Sequence, residues 1–138
     1  MAISSAFTNA AKLDYLNGNI SGSHTFKMAL YTSAATLDAT TTTYTSASEA
    51  VGAGYTAGGI TLTGYSSSLT AGVANLTWTT NPTLPTASIT AHGAMIYDST
   101  FNNRAIAVLD FGADYTATSG SFTVNLPAPG ATAIIRIS

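Results

Sequence analysis

Arg104-Ala105-Ile106-Ala107-Val108-Leu109-Asp110-Phe111 is the most apolar segment of the chain, and its reading decides the fold. Alternation sets Ala105, Ala107, Leu109 and Phe111 on one face and Ile106 and Val108 on the other, a period of two rather than 3.6. Apolar side chains on both faces place this strand inside a sheet covered above and below. Asp110 ends it, and pairing with Arg104 or Arg136 would satisfy that carboxylate better than isolation.

Working outward, Ser88 to Tyr97 reads as a longer β segment in which Gly93 marks a bulge or a close backbone approach. His24 to Tyr31 alternates with Phe26, Met28 and Leu30 on one face. Ile60 to Tyr65 turns Ile60 and Leu62 inward, and Gly72 to Thr79 turns Ala74, Leu76 and Trp78 inward against Asn75 and Thr77. Ser121 to Leu126, with Phe122, Val124 and Leu126 in alternation, and Ala133 to Ile137 complete about seven strands. Turn signals fall at Gly18, Gly58-Gly59, Asn81-Pro82, Asp98-Ser99, Gly112, Gly120 and Pro127 to Gly130. The expected fold is mainly β, a jelly-roll-like β-sandwich in one domain over residues 1–138. No amphipathic helices alternate with the strands, which disfavours a parallel α/β fold.

Two segments depart from this pattern. Ile3 to Leu16 is expected as a short N-terminal helix, with Ser4 or Ser5 as N-cap, Ile3, Ala6, Phe7, Ala10 and Leu13 on its apolar arc, and Asn17-Gly18 as the stop. Thr32 to Ala57 shows no strand, and loops of that length are uncommon in compact domains unless functional or disordered. Leu37, Tyr44, Val51 and Tyr55 are anchors that a solvated linker would not need, so the segment reads as an ordered arm. It contacts a partner, folds over its own sheet to cover an edge strand, or does both, and Ser46-x-x-Glu49 could cap one helical turn within it.

Composition narrows the function. Among 138 residues only ten are charged, 7% against the roughly 25% usual for soluble domains. Thr (24), Ala (24) and Ser (15) dominate instead, so hydroxyls solvate the surface. Lys12, Lys27, Arg104 and Arg136 are scattered and the net charge is −2, which leaves no basic stripe for nucleic acid. Without cysteines there are no disulfides or thiolate metal sites. No apolar run is long enough to cross a membrane, and the N-terminus lacks a signal-peptide pattern, so a soluble, unexported chain is expected. Large buried interfaces would answer the solubility problem that so little charge creates.

Candidates for chemistry are few. His24 and His92 lie on different expected strands and read as satisfied structural histidines. Asp98, Asp110 and Asp114 lack the spacing of a calcium loop and read as turn acids. Gly52 to Gly59 lacks the Lys-Ser/Thr of a phosphate loop, and no Ser sits in G-x-S-x-G. Asn19-Ile20-Ser21 and Asn75-Leu76-Thr77 match the glycosylation pattern by chance in an unexported chain. No catalytic residue, cofactor or metal is expected, so the chain does not read as an enzyme. A carboxylate-based glycoside hydrolase would require two of the three Asp in one cleft. The seven Tyr suit protein interfaces or sugar stacking. The residues nominated for a protein interface are Phe7, Leu37, Tyr44, Val51 and Tyr55.

Several runs together resemble small structural proteins of tailed bacteriophages. They are Phe26 to Thr40, Gly54-Tyr55-Thr56-Ala57-Gly58-Gly59, Ala94 to Thr100, Ile106 to Gly112 and Phe122-Thr123-Val124. Among these the pattern is most similar to capsid cement, or decoration, proteins with a jelly-roll-like fold. The resemblance implies a virion protein on the outer capsid surface, made in the host cytoplasm. It would bind the major capsid protein, associate with itself as a homodimer or trimer, and need no nucleic acid or membrane. A receptor- or glycan-binding module of a phage tail or fibre, using exposed Tyr and Trp78, is the alternative.

Overall fold

The computed structural model describes residues 2–126 and 134–137. Its elements are β1 (Ala6–Phe7), α1 (Asn9–Leu16), β2 (Phe26–Tyr31), β3 (Ile60–Thr61), β4 (Tyr65–Thr70), β5 (Val73–Trp78), β6 (Thr83–Asp98), β7 (Arg104–Thr123) and β8 (Ile135–Ile137). They form a five-stranded antiparallel sheet in the order β1-β7-β6-β2-β3 and a three-stranded antiparallel sheet in the order β4-β5-β8. The protein is mainly β, with two layers consistent with a β-sandwich.

The spine is the β6–β7 hairpin, 16 and 20 residues long. A pair that long would twist out of its own core unless interrupted, and four register shifts interrupt it. At the shift beside the turn, Ile96 faces Ala107 and Tyr97 faces Ala105, leaving Ile106 as the extra residue. This changes the expected alternation, so that Ile106 and Ala107 enter one core while Ala105 and Val108 enter the other. The widest shift lies at Gly93, as the sequence indicated: Gly93 faces Asp110 and Ala91 faces Tyr115, so His92 alone opposes Phe111 to Asp114. A Cβ on Gly93 would meet the Leu109 carbonyl at 2.6 Å and Ile3 at 2.8 Å, so the close approach is equally real.

Both faces of the larger sheet are covered. On the inner face, Phe26, Met28, Leu30, Ala94 and Ile96 pack against Leu76, Trp78 and Ile135 of the smaller sheet. Trp78 is 1% exposed, with ring centroids 5.3 Å from Phe26 and 5.8 Å from Tyr65. On the outer face, Ala29, Tyr31, Met95, Tyr97, Ala105 and Val108 pack under Ile3, Ala35, Leu37 and Tyr44. The arm is therefore ordered and lies over its own sheet.

The helix begins later than the periodicity suggested. Ala6 and Phe7 are extended and pair with Val108 and Ala107, and Thr8 replaces Ser4 or Ser5 as N-cap, accepting from Ala11 N at 3.2 Å. Thr8 also donates its hydroxyl to the Ala105 carbonyl at 2.6 Å and its N–H to that of Ile106 at 2.9 Å. Satisfying the edge of β7 outweighs an additional helical turn, whose intrinsic preference amounts to tenths of a kcal/mol per residue. The helix consequently buries Ala11 and Asp14 and leaves Leu13 exposed. Asn17-Gly18 ends it as expected, with Gly18 at φ 75°.

Further differences are local. The Ile60–Tyr65 segment divides into β3 and the start of β4, with Gly64 at φ 80° between them. Ala74 is exposed, whereas Asn75 and Thr77 on the opposite face of β5 are buried. Gly112 and Gly120 lie within β7, which runs on through both expected turns and takes in the first half of the expected strand Ser121 to Leu126. The turn expected at Pro127 to Gly130, and the start of the last strand at Ala133, lie outside the described residues.

Candidate functional site

The most elaborate polar cluster is the anchor of the arm. Glu49 is 7% exposed, yet its carboxylate accepts from Tyr44 Oη and Tyr55 Oη at 2.6 Å each and from Gly58 N at 2.8 Å. The same Tyr55 oxygen accepts from Leu30 N on β2 at 2.9 Å. Tyr31 Oη donates to the Thr45 carbonyl at 2.6 Å and Tyr97 Oη to the Gly58 carbonyl at 2.5 Å. Tyr44 stacks on Tyr97 at 4.7 Å. Burial, reinforced by the neighbouring Glu49 charge, pushes the phenols of Tyr31, Tyr44, Tyr55 and Tyr97 above their ordinary value, so all four stay protonated donors at neutral pH.

Ser46 and Glu49 do not cap a helical turn. Glu49 N donates to the Ser46 carbonyl in a tight turn with Ser48 at φ 60°, and the carboxylate goes to the tyrosines. The glycines after it allow backbone-to-backbone contact: a Cβ on Gly54 would stand 2.1 Å from the Thr86 carbonyl, beside the Ala53–Ser88 bridge to β6. Glu49 was legible in principle. It is the only Asp, Glu, Lys or Arg between Asp38 and Asp98, and a lone acid flanked by Tyr44 and Tyr55 must be satisfied if it is buried.

Of the nominated interface residues only Tyr44 and Tyr55 come together, at Glu49. Leu37 is 1% exposed, bridged to Ile3, and has no surface to offer. Tyr44 and Tyr55 are half-buried in the anchor, and Phe7 is half-buried edge-to-face with Tyr15 at 5.9 Å. Val51 stands out at 90% exposure. Among the described residues the other large exposed apolar side chains are Leu13 and Leu16 on α1, Leu69 on β4 and Tyr115 on β7, so apolar surface is spread over several elements.

The acids and the two histidines are each engaged. Fully buried Asp98 contacts His24 Nδ1 at 2.5 Å and accepts from Thr100 N and Phe101 N, fixing the β6–β7 turn. Asp110 pairs with neither arginine. Its carboxylate accepts from Gly112 N at 2.9 Å and stands 3.5 Å from His92 Nε2, while Asp114 takes His92 Nδ1 at 2.7 Å. Arg104 instead meets Asp14 of α1 in an ion pair at 2.7 Å that lacks hydrogen-bond alignment. Asp110 and Asp114 thus meet on an exposed bulge and Asp98 lies at the hairpin turn, with no cleft uniting the three. Among the described residues no group of three His, Asp or Glu is arranged to hold a metal, and no helix is long and apolar enough to cross a membrane.

A groove of about 660 Å³ is lined by Phe111, Tyr115, Phe122, Asn125, Leu126 and Arg136 among others. Phe111 and Tyr115 form an edge-to-face wall at 6.1 Å. Trp78, buried between the sheets, takes no part in it. No protein-family model, curated protein or solved structure matches the chain.

Proposed function

We propose that the protein is a structural virion component, a capsid cement protein that binds the outer surface of the major capsid lattice and joins neighbouring subunits. The observation that carries this reading is the combination of ten charges in 138 residues with large apolar side chains exposed on α1, the arm, β4 and β7. A monomer moving freely in solution is poorly served by so little of the charge that normally keeps copies apart, whereas a protein gripped on several sides is well served by it. The anchored arm supports the same reading, because it presents Val51 from a fixed base instead of from a loop that must be ordered on binding. Repetition on a lattice makes weak contacts sufficient through effective concentration. Within this reading the sandwich is a jelly roll, the chain acts as a dimer or trimer, and it needs no active site or cofactor.

The test is to add the protein to undecorated phage heads and follow co-sedimentation and the temperature of head disruption. Binding with a rise in that temperature is expected, with weaker binding by Val51→Glu and unchanged folding. Failure to bind, or binding without added stability, overturns the proposal. The groove supports a second reading as a glycan-binding virion module, since it sets Phe111 and Tyr115 near Asn125. Binding on a glycan array that Tyr115→Ala abolishes would favour that reading over the first.

A further inference from the structure

We infer that β4 is a pairing edge for a second copy of this chain, joined antiparallel about a two-fold axis beside Ser68. The inference is independent of the capsid reading. Sheet edges are normally blunted by shortness, charge, proline or bulges. Two outer strands of this protein fit that rule, since β1 and β3 are two residues long. Six-residue β4, Tyr65-Ser66-Ser67-Ser68-Leu69-Thr70, has none of these devices: its register with β5 is unbroken, and Ser67 to Thr70 are exposed.

The hairpin geometry fixes which groups are free. Ala71 (φ 50°) and Gly72 (φ 82°) make a two-residue turn, so Thr70 and Val73 exchange both ladder hydrogen bonds. Alternation then directs the N–H and C=O groups of Ser67 and Leu69 away from β5. An antiparallel copy with Ser67 opposite the partner's Leu69 satisfies all of them through four backbone bonds. Ser68 then faces the partner's Ser68, and Leu69, 73% exposed, becomes a diagonal neighbour of the partner's Leu69.

Charge selects a second copy as the occupant. Residues 50–97 contain no Asp, Glu, Lys or Arg, so two copies of this edge meet without like-charge repulsion, and a charged peptide finds no complement. A pairing of about five residues a side buries less than the roughly 1,200–2,000 Å² of a stable interface, which makes the association weak and concentration-dependent.

Sedimentation equilibrium from micromolar to millimolar protein tests this. The average mass is expected to rise from 14.0 kDa toward twice that value. Ser67→Pro removes one outward N–H without touching the β5 ladder, and Leu69→Lys places a charge at the joint; each is expected to keep the chain monomeric with an unaltered melting curve. Because the chain has no cysteine, Ser68→Cys supplies a single thiol next to the axis. It is expected to oxidise to a disulfide dimer roughly tenfold faster than Val51→Cys. A chain that stays monomeric throughout, a dimer unaffected by Ser67→Pro and Leu69→Lys, or equal oxidation rates for the two thiols would each overturn the pairing. A monomer that still binds and stabilises phage heads would overturn the pairing and the self-association in the capsid reading, leaving its head-binding role standing.

Discussion

The two faces of the five-stranded sheet are covered by different means. The inner face is closed by a second sheet, through aliphatic and aromatic contact around Trp78, Phe26 and Leu30. The outer face is closed by Ile3 and a 26-residue arm with almost no regular structure (residues 32–57), in which Tyr44 and Tyr55 converge on Glu49 while Tyr55 also packs against the inner core. Area removed from water holds the first face and is indifferent to detail. Directed hydrogen bonds to one carboxylate hold much of the second, and such bonds are lost together when their common acceptor is removed. An arm held this way can carry a variable tip such as Val51 without disturbing the sheet beneath it.

The comparison breaks most severely at Trp78. Trp78→Ala is expected to lower global stability by about 3–5 kcal/mol, read as a shift of the urea midpoint, because the cavity opens between both sheets. Glu49→Ala is expected to cost about 3 kcal/mol by leaving two phenols and the Gly58 N–H without their acceptor. Its signature should be local: hydrogen exchange at Tyr44, Ala50 and Ala105, whose amides bond Asn103, Leu30 and Thr42, accelerates before the rest of the sheet opens. Glu49→Gln keeps one acceptor and the side-chain shape, so about 1 kcal/mol is expected. Uniform loss of protection across the molecule in Glu49→Ala would show that the faces unfold as one unit and would end the distinction.

Alkaline pH loads the arm most heavily without mutation, since four of the six raised tyrosines gather there while Tyr15 and Tyr65 are raised by burial beside the inner core. Tyr31, Tyr44, Tyr55 and Tyr97 have folded pKa values above the unfolded value, through burial first and the Glu49 charge next. Above pH of about 10 the unfolded chain has released protons that the folded chain still holds, so the contribution is complete below that pH and declines above it. Stability from denaturant melts should be flat from neutrality to the unfolded tyrosine pKa and then fall, with the arm amides losing protection first. The decline should be shallower in Glu49→Gln, which removes the charge that helps to raise these phenols.

The inner face was the more legible of the two in the sequence. Period-two alternation in Phe26 to Leu30 and Arg104 to Phe111 located the central strands, and Gly93 marked the widest bulge. The phase of Ile106 was not legible, because a bulge is set by twist along a long hairpin and not by the residues inside it. The start of the N-terminal helix was placed too early since Ile3, Ala6, Phe7 and Ala10 satisfy a helical period, while the need of the β7 edge for a partner is invisible in a local window. Over the arm, Leu37, Tyr44 and Tyr55 were correctly marked as anchors, but the surface they anchor to is their own sheet. Val51 alone of the nominated residues is strongly exposed. Its neighbours' partners lie up to about fifty residues away in Ser88 and Tyr97, beyond the reach of any pattern.

The smallest expected effect concerns the bulge where His92 faces Phe111 to Asp114. This side chain resembles Glu49 in drawing several groups to one point, since Nδ1 meets Asp114 at 2.7 Å and Nε2 lies 3.5 Å from Asp110. It differs in exposure: the side chains of His92, Asp110 and Asp114 are 26%, 35% and 56% exposed, so solvent screens the pairs. Screened pairs of this kind contribute roughly 0–1 kcal/mol. His92→Ala should therefore leave the urea midpoint nearly unchanged while speeding exchange at Gly112 N, which bonds Asp110 within the bulge. If the substitution instead cost more than about 2 kcal/mol, convergence itself would be the stabilising feature, because burial would no longer separate His92 from Glu49. The contrast between the faces would then rest on how many groups meet at one acceptor, with burial secondary.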